Sequence, residues 1–297
     1  MELSKITEGV YAVLGSTTVA GVVCNPDREA LLVDTGLDES AARKLTRILG
    51  EAGMVIRWIF NTHAHADHFG GNRFIVERTG AKVYAPALEA GVIQCPVLEP
   101  MYLYGGAMPP RNLRNKFLEA EASTVTEVAY RGPMRIGGIE LEVVPLPGHS
   151  INQMGLALKG VLFCGDAFLS ESTMAKHGVP FNVDIQAHLR TLDFLAGQDI
   201  TLVCAHGSIY RDPKSIIAAN RQRVYETADA VLQLLESPCK TDEIMRLTCE
   251  KFGVSIQAPS QYYLMKCAVS AILTYLFNQG QLSMAVEQGT LLWHRKT

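Results

Sequence analysis

The sequence predicts a mixed α/β fold followed by a smaller helical unit. Through the first 212 residues, short apolar runs alternate with helical stretches. Several of those runs end at Gly, His or Asp, where open α/β sheets place their sites. From about Ser215 the strand-like runs give way to three helical ones. A chain of 297 residues accommodates one large unit plus an appendage. Its 48% hydrophobic and 19% charged residues can bury a substantial core and exclude a disordered chain. The division is placed at residues 1–212 and 213–297.

Taken in order, "GVYAVLG", "VAGVVCN" and "EALLVDTG" read as strands punctuated by Gly, Asn and Asp. "ESAARKLTRILGEAG" has helical periodicity and ends at glycine. "VIRWIFNTH" is a strand, a helix is expected to start near Phe69–Gly71, and "AKVYAP" is a further strand. The first half therefore reads β-β-β-α-β-α-β. Residues 87–120, with prolines at 96, 100, 109 and 110 and a Gly105–Gly106 pair, break the pattern. So long an interruption reads as a lid, or else as a surface insertion with its own small core. "IELEVVPLPGHS", "QMGLALKG", "VLFCGDAF" and "DITLVCAHGS" resume the strands, with a helix in "DIQAHLRTLDFLAG" before the last. Helices are expected at 215–236, 241–252 and 259–279, then a hairpin around Gln288–Gly289. Three helices and a hairpin resemble a winged-helix module.

The net charge of −3 implies no general attraction to nucleic acid or an anionic membrane. Seven cysteines without a CxxC pair fit reduced thiols better than a disulfide framework. "MELSKITEGVYAVLG" lacks a basic segment followed by a long apolar run, and no stretch is long and apolar enough to span a membrane. A cytoplasmic protein is expected.

The chemistry concentrates in "NTHAHADHFGGN", residues 61–72. His63 and His65 are two apart and fall on one side of an extended chain. Asp67 and His68 follow as the chain turns toward a helix. Clustered N and O donors suit zinc or a similar divalent metal. One loop cannot fill every coordination position, and three more donors end apolar runs: His149 after "VVPLPG", Asp166 after "VLFCG" and His206 after "TLVCA".

Together these motifs resemble the metallo-β-lactamase fold hydrolases. "THAHADH" matches the family's HxHxDH signature, "PGH", "CGD" and "AHG" its later metal motifs in order, and "LLVDTG" its early aspartate turn. The resemblance covers roughly residues 5–212. It implies a four-layer αββα sandwich with a dinuclear site along one edge. It implies that His63, His65 and His149 hold one metal, that Asp67, His68 and His206 hold the other, and that Asp166 bridges them. Asp34 would support a ligand from behind. The metals would be two divalent ions, zinc for preference, with iron or manganese possible. A water shared between such ions has its pKa lowered toward neutrality and becomes the attacking hydroxide, with Asp67 placed to orient it or carry a proton. His177, His188 and His294 match nothing in the pattern and read as structural or solvated.

The full set of seven resembles the glyoxalase II-like thioesterases and the lactonases more than the β-lactam hydrolases. The expected reaction is cleavage of an ester-type bond, a thioester or lactone, in a small molecule. The alternatives are an iron-dependent oxidoreductase of the same fold, resembling the persulfide dioxygenases, and the phosphodiesterase or nuclease branch. A nuclease needs a cationic path, and 27 basic residues stand against 30 acidic ones. The one small basic cluster, Arg111, Arg114 and Lys116, can hold a carboxylate or a single phosphate, or simply face water. Tyr102, Tyr104 and Arg111 are the candidates for the pocket wall. Residues 215–297 carry eight basic and seven acidic side chains, and "PSQYYLMKCAVSAILTYLFNQG" has one lysine and no arginine. That apolar helix reads as buried or as an interface, packed on the catalytic unit or on a second copy in a homodimer, rather than as a DNA reader.

Overall fold

The computed structural model describes residues 1–296; Thr297, the last residue of the predicted C-terminal unit, lies outside them. Two sheets face each other. The first has seven strands in sequence order: β1 (Glu2–Thr7), β2 (Val10–Leu14), β3 (Ala20–Cys24), β4 (Glu29–Val33), β5 (Val55–Phe60), β6 (Lys82–Pro86) and β7 (Glu127–Ala129). Hairpins join β1 through β4, and β4 through β7 run parallel. The second sheet has the order β13-β12-β11-β10-β9-β8, built from β8 (Gly132–Ile136), β9 (Ile139–Pro145), β10 (Met154–Leu158), β11 (Val161–Phe163), β12 (Thr201–Val203) and β13 (Ile209–Tyr210). In it only β11 and β12 are parallel neighbours.

Alternation explains the facing. On β9 the inward Ile139, Leu141 and Val143 are buried while Glu140 and Glu142 point to water. They meet Val23, Leu31, Val33 and Phe60 of the first sheet in the central core. Strand β4 is buried on both faces: Leu31 points inward, and Leu32 packs outward against helix α1 (Glu39–Glu51). Ala42, Leu45, Ile48 and Leu49 of α1 recur at helical spacing, and Asp38 caps its start by accepting from Ala41 N at 3.2 Å. On the outer side of the second sheet, Leu162, Leu202 and Cys204 pack against Leu192 and Leu195 of helix α7 (Ile185–Ala196). The layers are helix, sheet, sheet, helix.

The C-terminal helices lie close to where periodicity puts them: α8 (Lys214–Leu234), α9 (Thr241–Lys251) and α10 (Pro259–Asn278), then hairpin strands β14 (Leu282–Glu287) and β15 (Thr290–Arg295). Positive φ at Gln288 and Gly289, 50° and 76°, makes the tight hairpin turn. Their core takes in Ile185 and Leu189 of α7 beside Val231, Ile244, Val269 and Leu273. No helix among the described residues is long and apolar enough to cross a membrane.

Several elements differ from the sequence expectation. β1, β7, β8 and β13 were not expected; β1 is a half-buried edge strand with mixed polarity, β7 and β13 are three and two residues long, and β8 contains Pro133. The helix expected near Phe69–Gly71 is two pieces, α2 (Ala66–Phe69) and α3 (Asn72–Thr79). The chain between them passes so close to its neighbours that a Cβ on Gly70 would lie 1.9 Å from the Leu37 carbonyl oxygen. The interruption at 87–120 begins with two helices, α4 (Ala87–Gln94) and α5 (Leu98–Leu103), despite its prolines. Pro86 precedes the first turn of α4 and Pro100 lies within the first turn of α5, where no helical hydrogen bond is lost. Helix α6 (Glu171–His177), capped by Ser170, is a further addition.

Candidate metal centre

Parallel pairing brings the ends of β4 and β5 to one edge, and that of β11 and β12 brings Asp166 and His206 to the same edge of the second sheet. Five imidazoles and two carboxylates meet there. Nitrogen and oxygen donors lie within 4.8 Å of one another in three groups: His63, His65 and His149; Asp67, His68 and His206; and His63, His68 and Asp166. Asp166 connects the first two. Its Oδ1 is 3.4 Å from Nε2 of His68, and its Oδ2 is 3.2 Å from Nε2 of His206 and 3.5 Å from Nε2 of His149.

The rings are held from behind. Nδ1 of His149 is 2.9 Å from the Phe181 carbonyl, and Nδ1 of His206 is 2.9 Å from that of Thr17. Nδ1 of His68 is 2.8 Å from Asp34 Oδ2. The Thr62 hydroxyl donates to Asp34 at 2.8 Å and so accepts from Nδ1 of His63 at 3.1 Å. Each of these four rings therefore aims Nε2 inward. His65 is reversed: its Nδ1 faces Nε2 of His63 at 3.1 Å and of His149 at 2.8 Å, while its Nε2 points toward Glu99 Oε1 at 4.0 Å.

The donors fit a divalent metal on an observation internal to the protein. Nε2 of His68 and Oδ1 of Asp166 are buried without a hydrogen-bond partner. Leaving such atoms unsatisfied is costly, and an ion held by imidazole nitrogens and carboxylate oxygens satisfies both. Electrostatics agree. Asp166 raises the pKa of His206 to about 10, and the surrounding Asp166, Asp34 and Asp67 outweigh the burial that opposes a charge on His68. Burial opposes ionisation of Asp67, but His68 and His206 overcome it and keep the carboxylate ionised. Burial instead holds the pKa values of His63, His65 and His149 down, so these three rings stay neutral, the form in which an imidazole binds a metal.

Two cavities adjoin the cluster and share His65 and Glu99 on their walls. The first, about 240 Å³, opens between Phe117 and Leu118 of the 87–120 segment and Leu264 and Met265 of α10. The second, about 420 Å³, is lined by Leu88, Val92, Tyr102, Ile151 and Val183. Of the expected wall residues, Tyr102 lines the second cavity. Tyr104 lines neither and packs its ring 5.3 Å from that of Tyr263. Arg111 is exposed and lines neither cavity, and its neighbours Arg114 and Lys116 pair with Glu119 and Asp38. His177 is exposed, lines the first cavity and belongs to none of the three donor groups. His188 is buried beneath Gly148, and His294 faces Glu287 at 3.3 Å. Sequence reasoning missed Glu99, Phe181, Leu264 and Met265, which belong to no motif and reach the site only through tertiary packing.

The family model of the metallo-beta-lactamase superfamily matches residues 14–207. The chain belongs to the metallo-beta-lactamase superfamily. Among its relatives in the superfamily is a hydroxyacylglutathione hydrolase of Idiomarina loihiensis, 27% identical over 146 residues. That match covers 49% of this chain and 44% of the relative, so the chain spans less than half of that protein's length. An atrochrysone carboxyl ACP thioesterase of Passalora fulva is 21% identical over 98% of this chain and 82% of its own length. A superfamily structure from Thermus thermophilus superposes with a TM-score of 0.75 at 21% identity, covering 98% of this chain and all of that one. The likeness of fold to that structure thus continues through the C-terminal helices.

Proposed function

We propose that the protein is a dinuclear metal-dependent hydrolase of an ester-type bond, a thioester or lactone, in a small molecule. The observation that carries this reading is Asp166, whose two oxygens face both groups of donors at 3.2–3.5 Å. A single-metal site has no use for a carboxylate between two triads. His63, His65 and His149 would hold one ion, Asp67, His68 and His206 the other, and Asp166 both; zinc is the proposed metal. Such ions, when bound, supply Lewis acidity and activate water near neutral pH.

The chain's own residues do the rest. Asp34, Thr62, Phe181 and Thr17 fix the tautomers and aim of the rings. Asp67 is the proposed catalytic carboxylate. Its Oδ2 lies 3.0 Å from Nε2 of His206, it lines the first cavity, and as an ionised acceptor it can take a proton from an attacking water. In the overall reaction the water oxygen bonds the acyl carbon, the carbon–sulfur or carbon–oxygen bond breaks, and the leaving group takes up a proton. The named relatives include an ACP thioesterase and a hydroxyacylglutathione hydrolase, which supports the ester class. The test is a panel of thioesters, lactones, phosphodiesters and β-lactams offered to metal-quantified protein. Turnover of thioesters or lactones, abolished by chelation, is expected; turnover confined to phosphodiesters or β-lactams would overturn the assignment.

A further inference from the structure

The cavity lined by Leu88, Val92 and Val183 has a chemistry of its own. It meets the metal-donor cluster at His65, and its wall is hydrocarbon but for a few polar groups. Those groups are mostly engaged within the protein. Glu89 accepts from Ser150 Oγ at 2.7 Å and Asn152 N at 3.1 Å through one oxygen, and from Ala64 N at 2.9 Å through the other. Neither this cavity nor the first has a lysine or arginine on its wall. The cations beside the first cavity in sequence, Arg114 and Lys116, are tied to Glu119 and Asp38. An anionic arm such as a glutathionyl group, with its carboxylates, would find no lysine or arginine on either wall and, in the second cavity, no basic group beyond His65 at its mouth.

We infer that the second cavity is an acyl-chain pocket and that the substrate is an uncharged ester or thioester with a medium-length hydrocarbon acyl arm, not a glutathione thioester. The inference rests on the hydrolase reading and narrows it. The reacting carbonyl lies at the cluster, the acyl chain runs past His65 and Glu99 into the slot beneath Leu88 and Val183, and the leaving group occupies the cavity under α10. Each buried methylene should raise kcat/KM about fourfold until the slot is filled.

The test uses the full chain loaded with zinc. Rates are measured on acetyl, butanoyl, hexanoyl and octanoyl thioesters of N-acetylcysteamine and on the matching glutathione thioesters, and calorimetry follows the amide analogue of the octanoyl N-acetylcysteamine compound, which is not hydrolysed. Leu88→Trp and Val183→Trp narrow the slot from positions 58% and 38% exposed, so neither substitution burdens the folded core. The inference expects a rising chain-length series, binding of the octanoyl amide, and a tenfold or greater fall in the octanoyl-to-acetyl ratio in either variant. A flat series, a glutathione thioester preferred tenfold at equal acyl length, or variants with an unchanged ratio would overturn it. Amide binding that either variant weakens, without turnover of any ester, would sustain the pocket and overturn the hydrolase reading instead.

Discussion

Asp34 Oδ2 lies 2.8 Å from Nδ1 of His68, and the same carboxylate accepts from both the amide and the hydroxyl of Thr62 at 2.8 Å. One buried side chain thus sets two neighbouring rings, His68 directly and His63 through Thr62. It does so from a left-handed backbone, φ 61°, that costs a non-glycine residue about 1 kcal/mol or more. Asp34→Asn keeps that backbone, because asparagine tolerates it, but replaces an acceptor oxygen with an amide NH2, which can only donate. Metal affinity should fall by about 10- to 100-fold with little change in secondary structure. Metal titration with circular dichroism checks this, and undiminished affinity would remove Asp34 from the site.

Gly148 positions His149. Its φ is 136°, and a Cβ there would lie 2.4 Å from the backbone Cα of His188. Gly148→Ala must therefore move either the 147–149 loop or α7. A destabilisation of about 2 kcal/mol or more is expected, together with a metal content below that of the wild type. Thermal unfolding and metal analysis on the same sample read both.

Metal uptake should displace protons. His206 has its pKa raised to about 10 by Asp166, so at neutral pH the metal-free protein carries a proton where a ligand must be bare. Metal affinity should rise with pH, and titrations in buffers of different ionisation enthalpy should show proton release. The stability of the metal-free protein runs the other way. A folded pKa above the ordinary 6.5 contributes stability that is complete below that value and lost as pH rises through about 10. Metal-loaded protein should lack this alkaline decline.

Asp67→Ala should reduce kcat by about a hundredfold or more, because it removes both a donor of the second group and the carboxylate facing His206. Kinetics at saturating metal measure this. Full activity would exclude the catalytic role.

Much of the site was legible because its donors sit at the ends of apolar runs, where the chain must leave the sheet. His63, Asp166 and His206 are each announced by the strand before them, whereas the four-layer packing came from the family resemblance that these motifs carry. The walls were not legible. Leu264 and Met265 lie on a helix more than fifty residues after His206, and nothing local marks them as facing the cluster. Tyr102 and Tyr104 illustrate the limit: two residues apart at the end of one short helix, they point to different surroundings, one to a cavity and one to Tyr263. The helices of 87–103 were hidden by prolines that turn out to occupy permitted positions.

The central claim is two metals acting in hydrolysis, and one measurement meets it directly: metal per chain in protein purified without added metal, with ester hydrolysis and oxygen uptake assayed on the same sample. The account predicts two divalent ions per chain, thioester or lactone hydrolysis that chelation abolishes, and no oxygen consumption. One iron per chain with oxygen uptake and no hydrolysis would contradict it.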